Sequence, residues 1–264
     1  MFKKIAFAAV VALASAFTAP AFAAASACPQ HYAGGQAPDI QNQKMLNGFV
    51  ELCAAHGGFV DGYSALVKAP LWAAELITPE HVQEQKGLPR INDFHADDRL
   101  SHAQRAELED FKRSGYDRGH MVPNADAWTA ETQTDTFALS NMIAQAPKNN
   151  RGLHAHIEMA VRDYALHNGP TYVITGPLYI GGQIQYLNGR VAIPPAIFKL
   201  VYDPRLNAAA AYLETNSNDE AGQQYREISL QELEAMDNIH FLPGVRGVRQ
   251  LQLPKPVGHG IIGE

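Results

Sequence analysis

Asn150-Arg151-Gly152-Leu153-His154-Ala155-His156-Ile157-Glu158-Met159-Ala160-Val161-Arg162-Asp163-Tyr164-Ala165-Leu166 is the stretch on which the fold turns. Leu153, Ile157, Ala160, Val161 and Tyr164 fall largely at spacings of three and four, which predicts a helix over 150–166 with one apolar stripe. Asn168-Gly169-Pro170 stops it. Working outward, Phe59 to Val67 and Trp72 to Ile77 read as strands before the helix. Thr171 to Thr175, Ile197 to Tyr202 and Ala208 to Leu213 read as strands after it. Gly181-Gly182 and Asn188-Gly189 bracket a short hairpin-like piece, and Pro194-Pro195 marks a break. A second helix begins at Ser229, where Glu232 completes an S-x-x-E capping box. The expectation is an α+β fold with mostly antiparallel strands.

The 264 residues are 46% hydrophobic and 18% charged, a globular composition that excludes a disordered tail, a collagen or a coiled coil. A net charge of −6 advertises no blanket affinity for nucleic acid or anionic membranes, so any polyanion site is local. The chain opens with Met1-Phe2-Lys3-Lys4, an apolar run from Ile5 to Ala19 and the A-x-A pattern Ala21-Phe22-Ala23. That is a cleavable export signal over residues 1–23. The run is shorter than the roughly 20 residues of a membrane span and lacks the arginines of a mitochondrial presequence. Cleavage leaves 19 basic against 27 acidic residues, net −8, in a protein destined for the periplasm or the exterior. No repeat, charged linker or later membrane-length run divides residues 24–264, which read as one domain; oligomeric state is not encoded in any pattern. In an oxidising compartment Cys28 and Cys53 pair as a disulfide, which argues against a cysteine nucleophile or a cysteine-rich zinc site.

Ser114-Gly115-Tyr116-Asp117-Arg118-Gly119-His120-Met121-Val122-Pro123 packs an acid, a guanidinium and an imidazole into four positions. An imidazole can take a proton from water near neutral pH, and a guanidinium fork suits a phosphate. Standing alone, the segment reads equally as a polar turn. On the helix, Asn150, His154, Glu158 and Arg162 follow at steps of four and share one face. A carboxamide oxygen with several waters can hold Mg²⁺, a carboxylate can orient those waters, and an arginine can meet phosphate. The same stripe also reads as an exposed face with a Glu-Arg pair.

Tyr116-Asp117-Arg118-Gly119-His120-Met121, Leu139-Ser140-Asn141-Met142, Gln145, Asn150-Arg151-Gly152, Glu158, Arg162 and Thr175-Gly176-Pro177 together resemble the DNA/RNA non-specific endonucleases, the D-R-G-H group of ββα-metal nucleases. The resemblance extends to Arg90 in Leu88-Pro89-Arg90-Ile91-Asn92 and to Phe241-Leu242-Pro243-Gly244. It implies a ββα-metal (His-Me finger) fold, a central, mostly antiparallel sheet flanked by helices, with a hairpin and the Asn150 helix enclosing the metal. It implies that His120 is the general base and Asn150 the direct protein ligand of one Mg²⁺, with Mn²⁺ as the alternative. Arg90 and Arg118 would stabilise charge on the phosphate, and Glu158 would orient the ion's waters. Asn141, Gln145 and Arg162 would support the site, Asp117 would be a structural acceptor, and the substrates would be DNA and RNA.

Two positions depart from the family pattern. Ala144 replaces a usual proline, with a turn expected there, and His154 replaces an aromatic, often Trp. Asn149 beside Asn150 offers a competing register, which the N-x-G spacing decides for Asn150. Trp72 and Trp128 read as core. Beside the nuclease stand two other readings, a catalytically silent nucleic-acid-binding protein and an exported small-ligand binder.

Overall fold

The structure, a computed structural model, describes residues 26–257; the export signal read over residues 1–23 lies outside the described residues. Strand-forming runs cut by turn residues set the chain's order. After β1 (Asp39–Ile40) come β2 (Phe49–Cys53), β3 (Phe59–Ser64), β4 (Ala69–Ile77) and the short helices α1 (Pro79–Glu84) and α2 (Leu108–Phe111). Next stand β5 (Asp117–His120), α3 (Ala130–Thr136) and β6 (Met142–Gln145). A helical run follows, made of α4 (Pro147–Asn149), a π-turn (Asn150–His154) and α5 (Ala155–Asn168). β7 (Thr171–Leu178), β8 (Gln185–Leu187), β9 (Val191–Ile193), β10 (Ala196–Asp203), β11 (Ala208–Thr215) and β12 (Tyr225–Ile228) come next. α6 (Leu230–Asp237), β13 (Ile239–His240) and β14 (Arg249–Gln250) close the order.

The main sheet runs β12-β11-β10-β7-β4-β3-β2, every neighbour antiparallel, with β14 parallel to β11. Because side chains alternate along a strand, the register sorts them into two faces. One face carries Val60, Trp72, Ala74, Ile174, Phe198, Leu200 and Ala211, and is covered by Cys28, Tyr32, Leu233 of α6 and Phe241. The other carries Val173, Val201, Ala210 and Tyr212, which receive Leu153, Ile157, Val161 and Ala165 of the helical run. The expected apolar stripe is therefore the packing stripe. β5 pairs antiparallel with β6 in the register Asp117↔Gln145 to His120↔Met142, and Met121, Val122 and Ile143 pack on Phe59, Ala73 and Ile197. Two strands and a helix are thus docked on one face of the sheet.

The sequence expectations need four adjustments. The strand from Phe59 ends at Ser64, because residues 65–68 turn back with Lys68 at φ 51°. The strands of the D-R-G-H segment and of Met142–Gln145 escape a periodicity reading, because burial does not alternate along either: Asp117 and Arg118 are half-buried, Gly119 and His120 buried, and all of Met142–Gln145 is buried. Ala144 lies in β6 opposite Arg118 rather than in a turn. At α6, Ser229 caps the Glu232 amide as expected, but the Glu232 carboxylate accepts from Arg226, so the box is only half made.

Trp72 is fully buried, whereas Trp128 is half-buried and stacked on His81 at 3.6 Å between ring centres. Among the described residues no helix is long and apolar enough to cross a membrane. Cys28 and Cys53 are bonded, their Cα atoms 6.0 Å apart, which fastens the chain's start to the edge of β2. Reducing this bond, or replacing both cysteines by serine, is expected to lower unfolding free energy by about 3 kcal/mol. Guanidinium titrations with and without reductant measure it; unchanged midpoints would mean that the bond does not constrain the unfolded chain.

Candidate active site

His120 closes β5 and Asn150 opens the π-turn, and both line one cavity of about 770 Å³ with Arg90, Arg118 and Glu158. Residues spread over 69 positions of sequence are thereby brought to one place. Asp117 makes the junction. Its carboxylate accepts from Asn150 Nδ2 at 2.9 Å and from Arg151 Nε and Nη2 at 2.8 and 2.6 Å, tying β5 to the helical run. Burial opposes its ionisation, but Arg151 and Asn150 outweigh that and hold its carboxyl below the usual range. With the amino group of Asn150 engaged, its carboxamide oxygen is the atom left to offer a hard cation. Asn149 resolves the register: it is fully buried, receives Gln145 Nε2 at 2.8 Å and donates to Glu214 at 3.0 Å.

His120 is 9% exposed, and its Nε2 is buried without a hydrogen-bond partner. The ring lies 5.1 Å edge-on to Phe137 and 5.5 Å from Phe94. Desolvation above all, with Arg90, His154 and Arg118 adding to it and Glu158 opposing, lowers its pKa to about 3. A general base must be unprotonated, and burial keeps this imidazole neutral. The two phosphate-type cations flank it on aromatic supports: Arg118 stands 4.0 Å over the Phe94 ring and Arg90 5.3 Å over Phe137. Arg90 also bonds Asn92 and Asn124.

The supporting residues act from behind. Asn141 Oδ1 accepts from Val122 N at 2.9 Å while its Nδ2 donates to Val122 O and Thr136 O, which locks the chain leaving His120. Gln145 fills the space beside Gly119, where a Cβ would sit 2.0 Å from Gln145 Oε1. That contact is why the motif's third position is glycine. Arg162 lies beneath the cavity and donates to Asp126 at 2.6 Å.

Beneath the site the sheet face carries a row of polar side chains among apolar ones. Lys199 donates to Thr175 at 2.7 Å, and burial together with Asp126 pushes the Glu75 carboxyl well above its usual range. His154, 1% exposed, stands between two acids, with Nδ1 2.9 Å from Glu214 and Nε2 3.3 Å from Glu158. The Glu158 contact is an ionic one, bent away from a good hydrogen-bond angle. Burial would lower the His154 pKa, yet Glu214 and Glu158 raise it to about 9. Burial would raise Glu158, yet His154, Lys199 and Arg162 hold it at about 2. A sequence reading misses Glu214, Lys199, Glu75, Asp126 and Phe94. Lys199 and Glu75 were detectable as ionisable residues inside strands whose neighbours at i±2 are apolar; Glu214, with Tyr212 on one side and Asn216 on the other, carries half of that mark, and Asp126 and Phe94 carry none.

A profile of DNA/RNA non-specific endonucleases matches residues 52–247. The chain belongs to that family. It is 35% identical over 157 residues to "Nuclease 1, mitochondrial" of Schizosaccharomyces pombe, covering 54% of this chain and 49% of that one. It is 30% identical over 202 residues to "Endonuclease G, mitochondrial" of Bos taurus, covering 72% and 66%. The chain thus spans about half to two thirds of the length of these curated relatives. Among solved structures, EndoG from an EndoG/EndoGI complex superposes with a TM-score of 0.65 at 26% identity, covering 77% of this chain and 91% of that one. The ββα-metal fold read from the motifs is the fold this family shares.

Two outcomes test the geometry. Gly119→Ala must displace Gln145 and is expected to cost about 1–3 kcal/mol, read by chemical unfolding; a neutral result would mean that β5 and β6 are not packed this closely. His154 has a folded pKa above its unfolded 6.5, so its stabilisation is complete below pH 6.5 and is lost as pH rises through 9. The melting temperature is therefore expected to fall from pH 7 to 9.5, and to fall less in the pair His154→Phe with Glu214→Leu; parallel curves would remove His154 as the cause.

Proposed function

We propose that this protein is an exported, sugar-non-specific endonuclease that hydrolyses phosphodiester bonds of DNA and RNA with little sequence preference. The observation that carries the reading is the single cavity lined by His120, Asn150, Glu158, Arg90 and Arg118. His120 acts as the general base, deprotonating a water that attacks phosphorus in line with the leaving oxygen. Arg90 and Arg118, held on Phe137 and Phe94, receive the charge that builds on the phosphate oxygens. Lys112, Arg113 and Arg151 on the same cavity wall meet backbone phosphates, which carry no sequence information directly.

The donor set fits a hard divalent cation, Mg²⁺ or Mn²⁺. An amide oxygen at Asn150 and an ionised carboxylate at Glu158 share the cavity, and both cysteines are consumed in the disulfide. Asn150 would hold the ion and Glu158 its waters; when bound, such an ion neutralises phosphate oxygens and the leaving group. Asn141, Gln145 and Arg162 keep these groups in register. Export of residues 24–264 as one domain to the periplasm or exterior rests on the leading sequence and on the Cys28–Cys53 bond, which persists in oxidising compartments.

Plasmid DNA and RNA are digested with Mg²⁺ and with a chelator, beside His120→Ala and Asn150→Ala. Cutting of both substrates that stops with chelator is expected, with His120→Ala slowed by about 10²- to 10⁴-fold. Equal cutting by His120→Ala would remove His120 as the base.

A further inference from the structure

Glu214, His154 and Glu158 form a buried chain that starts in the sheet and ends at the cavity. Glu214, fully buried on β11, is held through Oε2 by Asn149 Nδ2 at 3.0 Å and through Oε1 by His154 Nδ1 at 2.9 Å. On the far side of the ring, His154 Nε2 meets Glu158 Oε1 at 3.3 Å. His154 does not line the cavity, whereas Glu158 does. Asn149, at the other end of the chain, is the residue before Asn150 and is anchored to Gln145 and Gly222 as well. The arrangement reaches both residues that would serve the ion, Asn150 through the backbone and Glu158 through a side chain.

An uncharged aromatic at 154, the usual family residue, would fill this volume but could not set a cation between Glu158 and a buried carboxylate at 214, which would leave that charge without its partner. Histidine and Glu214 are therefore a matched pair, and the imidazole is the one donor with a nitrogen toward each acid. We infer that His154, braced by Glu214, is a positioning residue that sets the Glu158 carboxylate for the divalent ion's water shell. The inference rests on the proposed nuclease reading for its catalytic consequence. Its metal-binding consequence stands apart from that reading. His154 touches no reacting atom; it acts through Glu158. Partners that orient a metal's ligands in this way typically contribute about 10- to 100-fold in metal affinity or activity.

The test is His154→Phe with Glu214→Leu, which removes both members; Asn149 keeps Gly222 as an acceptor, and Glu158 keeps Lys199 and Arg162 as its cations. Three readouts are taken: kcat and KM on plasmid DNA, Mn²⁺ affinity of the nucleic-acid-free protein by electron paramagnetic resonance, and folding by circular dichroism. A folded variant with kcat down about 10- to 100-fold, KM within about threefold and Mn²⁺ binding about tenfold weaker is expected. In a Glu158→Gln background the same pair should cost nothing further, because the carboxylate it positions is gone. A folded Phe/Leu variant within twofold of the parent in kcat and Mn²⁺ affinity, or one equally damaging in the Glu158→Gln background, overturns the inference. If the Phe/Leu variant does not fold, His154→Met with Glu214→Gln, which keeps an acceptor for Asn149 and removes the nitrogen facing Glu158, is read against the parent, alone and in the Glu158→Gln background, with the same two outcomes. A parent that cuts neither DNA nor RNA sinks the nuclease reading, and Mn²⁺ affinity then decides the positioning role by itself.

Discussion

The Asp117 carboxylate is the joint on which the site depends. Three oxygen-to-nitrogen contacts, one to Asn150 and two to Arg151, fasten the strand bearing His120 to the helical run bearing Glu158. A bidentate arginine-carboxylate pair adds direction as well as energy, so it holds the two elements at a defined angle rather than merely close. The pairing also decides the chemistry of Asn150, since an amide that gives its amino group to an anion turns its oxygen elsewhere.

Beneath that joint lies an unusual floor. A sheet face that also carries alanine, valine, isoleucine and tyrosine holds Lys199, Glu75 and Glu214, and the docked segments add Asp126, His154, Glu158 and Arg162. Ions withdrawn from water cost several kcal/mol each unless paired and hydrogen-bonded, and here the charges alternate so that every group has an opposite or a protonated neighbour. Such a floor is a poor source of stability, and a good source of fixed electrostatics under the candidate site. It keeps Glu158 ionised, while burial keeps His120 neutral, the two states on which the proposed reaction relies.

Much of this was legible in the amino acids. The helix stripe from Leu153 to Val161, the long strands around Trp72, Ile174, Leu200 and Ala210, and the Ser229 cap follow from spacing and capping chemistry that act locally. The resemblance carried by the D-R-G-H and N-x-G elements named the residues that line the cavity. What spacing could not convey was β5, whose first two residues are half-buried and last two buried, and β6, which is buried throughout, so that neither shows a period of two. Nor could it convey the partners. That Arg162 meets Asp126, that Arg118 rests on Phe94 and that His154 meets Glu214 depends on sheet register and on a loop's path, which are set by the whole chain.

The two strands of the motif are not a tight hairpin: 21 residues, 121–141, separate His120 from Met142, and Asn141 pins both ends of that excursion. Closing such a loop costs about 2 kcal/mol more than closing a two-residue turn, on the logarithmic dependence of loop entropy on length. Pairing of these strands is therefore weaker alone than that of a tight hairpin and gains from docking on the main sheet. The geometry of the candidate site in this sense leans on the sheet beneath it, through a contact made far along the chain.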